Sequence, residues 1–149
     1  MIKVFGIGNI LLCDDGIGVR VAENLKEEIE ALGDDIEVII GETDAIYCIN
    51  KIEEDDDVII IDSTYFMIRP GVVTVKSLDE CDEFINYDYS PHEESLLRLL
   101  RKKKRDVKGY LIGIEISHID YSEELSKILN KRFKDICTRV YNEIVEIVA

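Results

Sequence analysis

Residues 2–32, IKVFGIGNILLCDDGIGVRVAENLKEEIEAL, set the architecture. Ile2 to Ile7 reads as a short strand, apolar enough to be covered on both faces. From Gly16 to Leu32 the apolar residues Val19, Ala22, Leu25, Ile29 and Leu32 recur at steps of three and four, the period of one helical face. Strand, glycine turn and helix in that order form the opening unit of an α/β chain.

The same alternation continues outward. Ile36 to Ile40 is a second β-rich run, Ala45 to Ile52 a short helix, and Val58 to Ile61 a third apolar run closed by Asp62. Pro70-Gly71 turns the chain into Val72 to Val75, expected as an edge strand close to the third, and the acidic stretch from Ser77 to Tyr89 reads as an exposed loop. Ser90-Pro91 offers a cap and a first-turn proline for a helix running through Leu96, Leu97, Leu99 and Leu100, which puts His92 in the first helical turn. Lys108 to Ser117 supplies a further strand. Ser122 to Val148 is a long helix with Leu125, Leu129, Phe133, Ile136, Val140, Ile144 and Ile147 on its apolar face. Parallel strands need crossover helices, so the expectation is an α/β fold with a mostly parallel twisted sheet and helices on both faces. Ligands of such folds bind outside the carboxyl ends of the strands.

Bulk properties narrow the function. With 149 residues, 46% of them hydrophobic, the chain suits one domain spanning 1–149. A formal charge of −14 repels a phosphate backbone and argues against nucleic acid. The opening MIKVFGIGNILL is too short and glycine-broken to span a bilayer and lacks the features of a secretory signal, so no membrane and a cytoplasmic location are expected. Cys13, Cys48, Cys81 and Cys137 make no CxxC pair and are expected as reduced, mostly buried thiols. The basic run Arg101 to Arg105 falls at a helix end, where cations complement the last carbonyls.

Three polar clusters fall at strand ends or helix starts on the expected rim: Gly8-Asn9 through Asp14-Asp15-Gly16, Asp62-Ser63-Thr64, and Ser90-Pro91-His92. Asp62 leaves a buried strand, where a bare charge is costly without a cation or donors; its plain structural reading is a cap for the next loop. Asp14 and Asp15 precede a helix, where one serves as a cap and the other is left to face the cleft. The chain has two histidines, His92 and His118. A histidine at a helix start tends to stay neutral, with a nitrogen lone pair for a metal; a lone histidine is more often structural, and the setting beside Ser-Pro makes His92 the better candidate of the two. Two carboxylates and an imidazole suit a borderline ion such as nickel or zinc. No HExxH spacing is present, and in Gly6-Ile7-Gly8 the third glycine of a dinucleotide loop would fall at Leu11.

The run from Gly6 to Gly18, GIGNILLCDDGIG, resembles the amino-terminal signature of the nickel–iron hydrogenase maturation proteases, and the match extends through Asp62 and Ser90-Pro91-His92 in the same order. The resemblance implies a three-layer α-β-α sandwich of the phosphorylase/hydrolase-like kind. It also implies an endopeptidase that removes the C-terminal extension of an immature hydrogenase large subunit after nickel insertion. By match, Asp15, Asp62 and His92 are then the catalytic, metal-binding residues, and the cofactor is Ni2+ carried by the substrate. The first ligand in that family is often glutamate; here it is aspartate. Where many members carry an acidic residue followed by Gly-Gly-Thr or Gly-Gly-Ser, this chain has Gly41-Glu42-Thr43, with the acid two positions later. The metal would orient the scissile carbonyl and polarise it or activate water, with a carboxylate general base as the other route. Two other classes compete: a non-catalytic nickel-binding chaperone of the large subunit, and a nucleotide-binding enzyme, which the incomplete glycine loop disfavours.

Overall fold

The computed structural model describes residues 1–81, 96–104 and 106–149. Five strands form one sheet: β1 (Ile2–Ile7), β2 (Ile36–Glu42), β3 (Asp57–Thr64), β4 (Val73–Ser77) and β5 (Lys108–Glu115), in the order β2-β1-β3-β5-β4. β1, β2, β3 and β5 are parallel, and β4 closes the edge antiparallel to β5. β4 was expected beside the third strand. It lies one place further out, because β5 takes the parallel slot on β3 along the whole register from Asp57–Lys108 to Thr64–Glu115.

The pleat sorts side chains into two cores, since neighbours along a strand face opposite sides. Val4, Val38, Ile59, Ile61, Ile112 and Ile114 face α1 (Ile17–Glu30) and α5 (Lys127–Val148), meeting Val21, Leu25, Leu129 and Val140. Phe5, Ile39, Val58 and Ile60 face the other layer, α2 (Ala45–Lys51), α3 (Leu78–Cys81) and α4 (Leu96–Lys103), through Cys48, Ile49, Leu78, Leu99 and Leu100. The fold is the expected three-layer α-β-α sandwich. Each buried isoleucine or leucine contributes roughly 1.5–3 kcal/mol of transfer free energy.

Helix limits differ from the periodicity for local reasons. Cys13–Gly16 is a 3-10 turn, so α1 starts at Ile17. Gly18 lets the helix approach the strand ends: a Cβ there would lie 2.4 Å from the Ile61 carbonyl oxygen and 2.5 Å from that of Ile7. α5 starts at Lys127 rather than Ser122, because Ser126 caps it by accepting the Leu129 N–H at 3.3 Å. Ser122 instead closes a turn, accepting the Glu124 N–H at 3.0 Å. Residues 78–81, expected within an exposed loop, form α3 with Leu78 and Cys81 buried. Arg101 in the last turn of α4 donates to the Val107 carbonyl at 3.0 Å and pairs with Asp79 at 3.2 Å, in keeping with a basic run that complements a helix end. All four cysteines are buried, and none is in a disulfide. No described helix is long and apolar enough to cross a membrane.

Candidate active site

Asp15 and Asp62 meet at the carboxyl end of the parallel strands. Asp62 is near the carboxyl end of β3, paired with Gly113, and Asp15 is in the 3-10 turn that follows β1. Ser63 joins them: its hydroxyl donates to Asp15 Oδ1 at 3.2 Å and its amide donates to Asp62 Oδ1 at 2.7 Å. Asp15 Oδ2 also accepts the Asn9 N–H at 2.9 Å. Both carboxylates are half-buried, oriented by donors yet open to the rim. His92, with Ser90 and Pro91, lies outside the described residues.

Adjacent Asp14 does something different. It is fully buried, and its oxygens accept the Ser126 N–H at 2.8 Å, the Ser117 N–H at 3.0 Å and the His118 N–H at 3.2 Å. A buried carboxylate satisfied by three amides is a brace, and this one ties the turn after β1 to the loop after β5 and to the start of α5. The pair left open by sequence is thus divided: Asp14 holds the backbone, and Asp15 faces the rim.

The glycine turn serves the same geometry. Gly8 has φ +141°, and a Cβ there would sit 2.0 Å from the Asp15 carbonyl oxygen. The glycine makes room for the Asp15 turn rather than for a phosphate. Its N–H donates to the Glu42 carbonyl at 2.9 Å, and Glu42 is exposed in a left-handed conformation, φ +50°, beside the end of β1. Asp44 caps α2 through the Tyr47 N–H at 2.9 Å. His118 is exposed, with Nε2 3.9 Å from Cys13 Sγ. Burial, with the Asp14 carboxylate adding to it, pushes the Cys13 thiol up, which keeps it protonated.

Two positions that shape the rim are not marked as such by the sequence. Ser63 stands in the Asp62-Ser63-Thr64 cluster with nothing local to show that its hydroxyl reaches Asp15. Glu115, 1% exposed, accepts the Thr64 hydroxyl at 2.9 Å, the Phe66 N–H on both oxygens at 2.9 and 3.0 Å, and the Ile68 N–H at 3.3 Å. Its signal was available: Glu115 closes the apolar run Ile112-Gly113-Ile114 as Asp62 closes Val58 to Ile61.

Comparison with known proteins bears on the family and the fold. A putative hydrogenase maturation protease of Methanocaldococcus jannaschii is 28% identical over 145 residues, covering 91% of this chain and 93% of the relative. The hydrogenase expression/formation protein HupD of Rhizobium leguminosarum is 36% identical over 83 residues, 56% of this chain, and that match spans only 41% of the relative's own length. In fold, the chain superposes on the hydrogenase maturating endopeptidase HybD of E. coli with a TM-score of 0.79 at 24% identity, covering 97% of this chain and 92% of that one. A family model described as hydrogenase maturation protease matches residues 19–147. The chain belongs to the hydrogenase maturation protease family.

Proposed function

We propose that this chain is an endopeptidase that removes the C-terminal extension of a nickel–iron hydrogenase large-subunit precursor once nickel has been inserted, with Asp15, Asp62 and His92 as the residues that engage the metal. The observation that carries the reading is Ser63, which holds the Asp15 and Asp62 carboxylates side by side on the rim where α/β folds bind ligands. Two carboxylates, one from the turn after β1 and one from the end of β3, fit a divalent ion as oxygen donors, and an imidazole from a third segment would complete a set suited to nickel. The ion arrives with the substrate, as cargo.

In this chain's own residues the chemistry is positioning. Asn9 and Ser63 fix the direction of the Asp15 lone pairs, and the Ser63 amide fixes those of Asp62, so the metal-bearing end of the precursor is held in one orientation. Hydrolysis then adds water across one peptide bond, with a hydroxyl going to the carbonyl carbon and a proton to the departing amine. The test is to incubate the protein with nickel-loaded and nickel-free precursor and follow the precursor's C-terminal mass. Cleavage of the loaded form alone, lost in Asp15→Asn and His92→Ala, is expected. Equal cleavage of both forms defeats the nickel requirement, and binding with no mass change defeats the endopeptidase.

A further inference from the structure

The loop from β3 to β4 turns its large apolar side chains outward. Tyr65, Met67 and Ile68 are 59%, 83% and 44% exposed, and Met67 holds a left-handed backbone, φ +62°. Exposed apolar groups on a strained backbone are unfavourable for the isolated chain, so something must hold them there. Glu115 does: its buried carboxylate takes the Thr64 hydroxyl and the Phe66 and Ile68 amides from beneath the loop. Ordering the loop in advance removes that entropic cost from a later binding step.

The same edge of the sheet carries more apolar surface. Tyr121, 90% exposed, and Leu11 project from the loops after β5 and β1, which are joined by the Ser122 N–H to Leu11 carbonyl bond at 3.0 Å. The charge carried by these loops is predominantly negative. Among the described residues of the loops after β1, β2, β3 and β5, Arg69 is the single Lys or Arg, against exposed Glu42, Asp44, Asp120, Glu123 and Glu124. A negative field of this kind attracts a cationic partner and repels an acidic one.

We propose that Tyr65, Met67 and Ile68, with Leu11 and Tyr121, form the docking surface for the polypeptide that carries the scissile bond, an extended segment with apolar side chains and net positive charge, and that Glu115 is the positioning residue of that surface. The inference rests on the endopeptidase reading. It is tested by steady-state cleavage of nickel-loaded precursor alongside titration of precursor binding, using wild type, a Tyr65→Ser/Met67→Ser double variant and Glu115→Gln. The double variant is expected to raise KM and Kd by about tenfold with kcat within about twofold and an unchanged melting temperature, the signature of lost ground-state binding. Glu115→Gln raises KM in the same sense with kcat retained, whereas a merely loosened fold would lower the melting temperature and kcat together. Raised salt increases KM of the wild type. An unchanged Kd and KM in the double variant overturns the docking surface even where wild type cleaves. Absence of cleavage by wild type removes the endopeptidase reading, while the binding titration still decides the surface.

Discussion

The hydroxyl of Ser63 donates to Asp15 Oδ1 at 3.2 Å, joining the turn after β1 to the end of β3. Because a hydrogen bond to a charged group is worth about 1.5–3 kcal/mol, losing it should free Asp15 to rotate. Ser63→Ala is expected to lower precursor cleavage by about tenfold and unfolding free energy by no more than about 3 kcal/mol. Activity equal to wild type would remove Ser63 from the site.

Asp14 and Asp15 are neighbours with opposite expected phenotypes. Asp14→Ala leaves three amide donors without their acceptor, that of Ser126 buried, and should destabilise the fold by about 3–5 kcal/mol in urea unfolding. Asp15→Ala should cost about 1 kcal/mol or less and abolish cleavage. Reversed results would exchange the two roles.

Gly8→Ala places a methyl group on the Asp15 carbonyl oxygen in a backbone region that L-residues avoid. A loss of about 2–4 kcal/mol is expected from strain and the clash together, with cleavage falling in step. A variant with wild-type melting and wild-type cleavage would show that the turn tolerates the methyl.

Acid sensitivity should concentrate at Asp56. Burial alone would raise its carboxyl, but the Glu53 amide at 2.7 Å and the Lys3 ammonium at 3.2 Å prevail and hold it low. A depressed carboxyl contributes stability that is present above its unfolded pKa of about 3.9 and is lost as pH falls through the lower folded value. Asp56→Asn is therefore expected to weaken the fold at neutral pH and to flatten the loss of stability below about pH 4. A parallel pH profile for wild type and variant would assign the acid transition elsewhere.

Thiol reactivity should be low until the fold opens. Burial pushes Cys48 up to about 12 and Cys137 up to about 11, far from the thiolate that alkylating reagents need. Native protein at pH 8 is expected to label slowly at both and rapidly in denaturant, read by mass. Fast native labelling of Cys48 would mean that α2 opens readily.

Much of the fold was legible because periodicity reports burial. Val58 to Ile61 and Ile112 to Ile114 are apolar on both faces because helices cover both, and the α1 stripe is the face turned to Val4 and Ile59. Asp62 was legible as a charge at the end of such a run. The division between Asp14 and Asp15 was not, since both are acids before a helix and their roles depend on donors more than 100 residues away at Ser117 and Ser126. Ser63 carries no local sign that its hydroxyl reaches Asp15, whereas Glu115 is marked by closing an apolar run although its partners lie in the loop after β3. The place of β4 depended on which strand took the slot beside β3, and no local pattern carries that.

The reach of Asp14 bears on how the molecule assembles. Its acceptor contacts join residues 103 to 112 positions apart, so the turn that presents Asp15 lacks this brace until β5 is in the sheet and the first turn of α5 has docked. Contacts of such high sequence separation pay their loop-closure entropy first and form late. The rim is then among the last parts of the chain to mature. A ribosome-bound or truncated form that lacks α5 would carry every residue of the first motif and still lack the full brace behind Asp15.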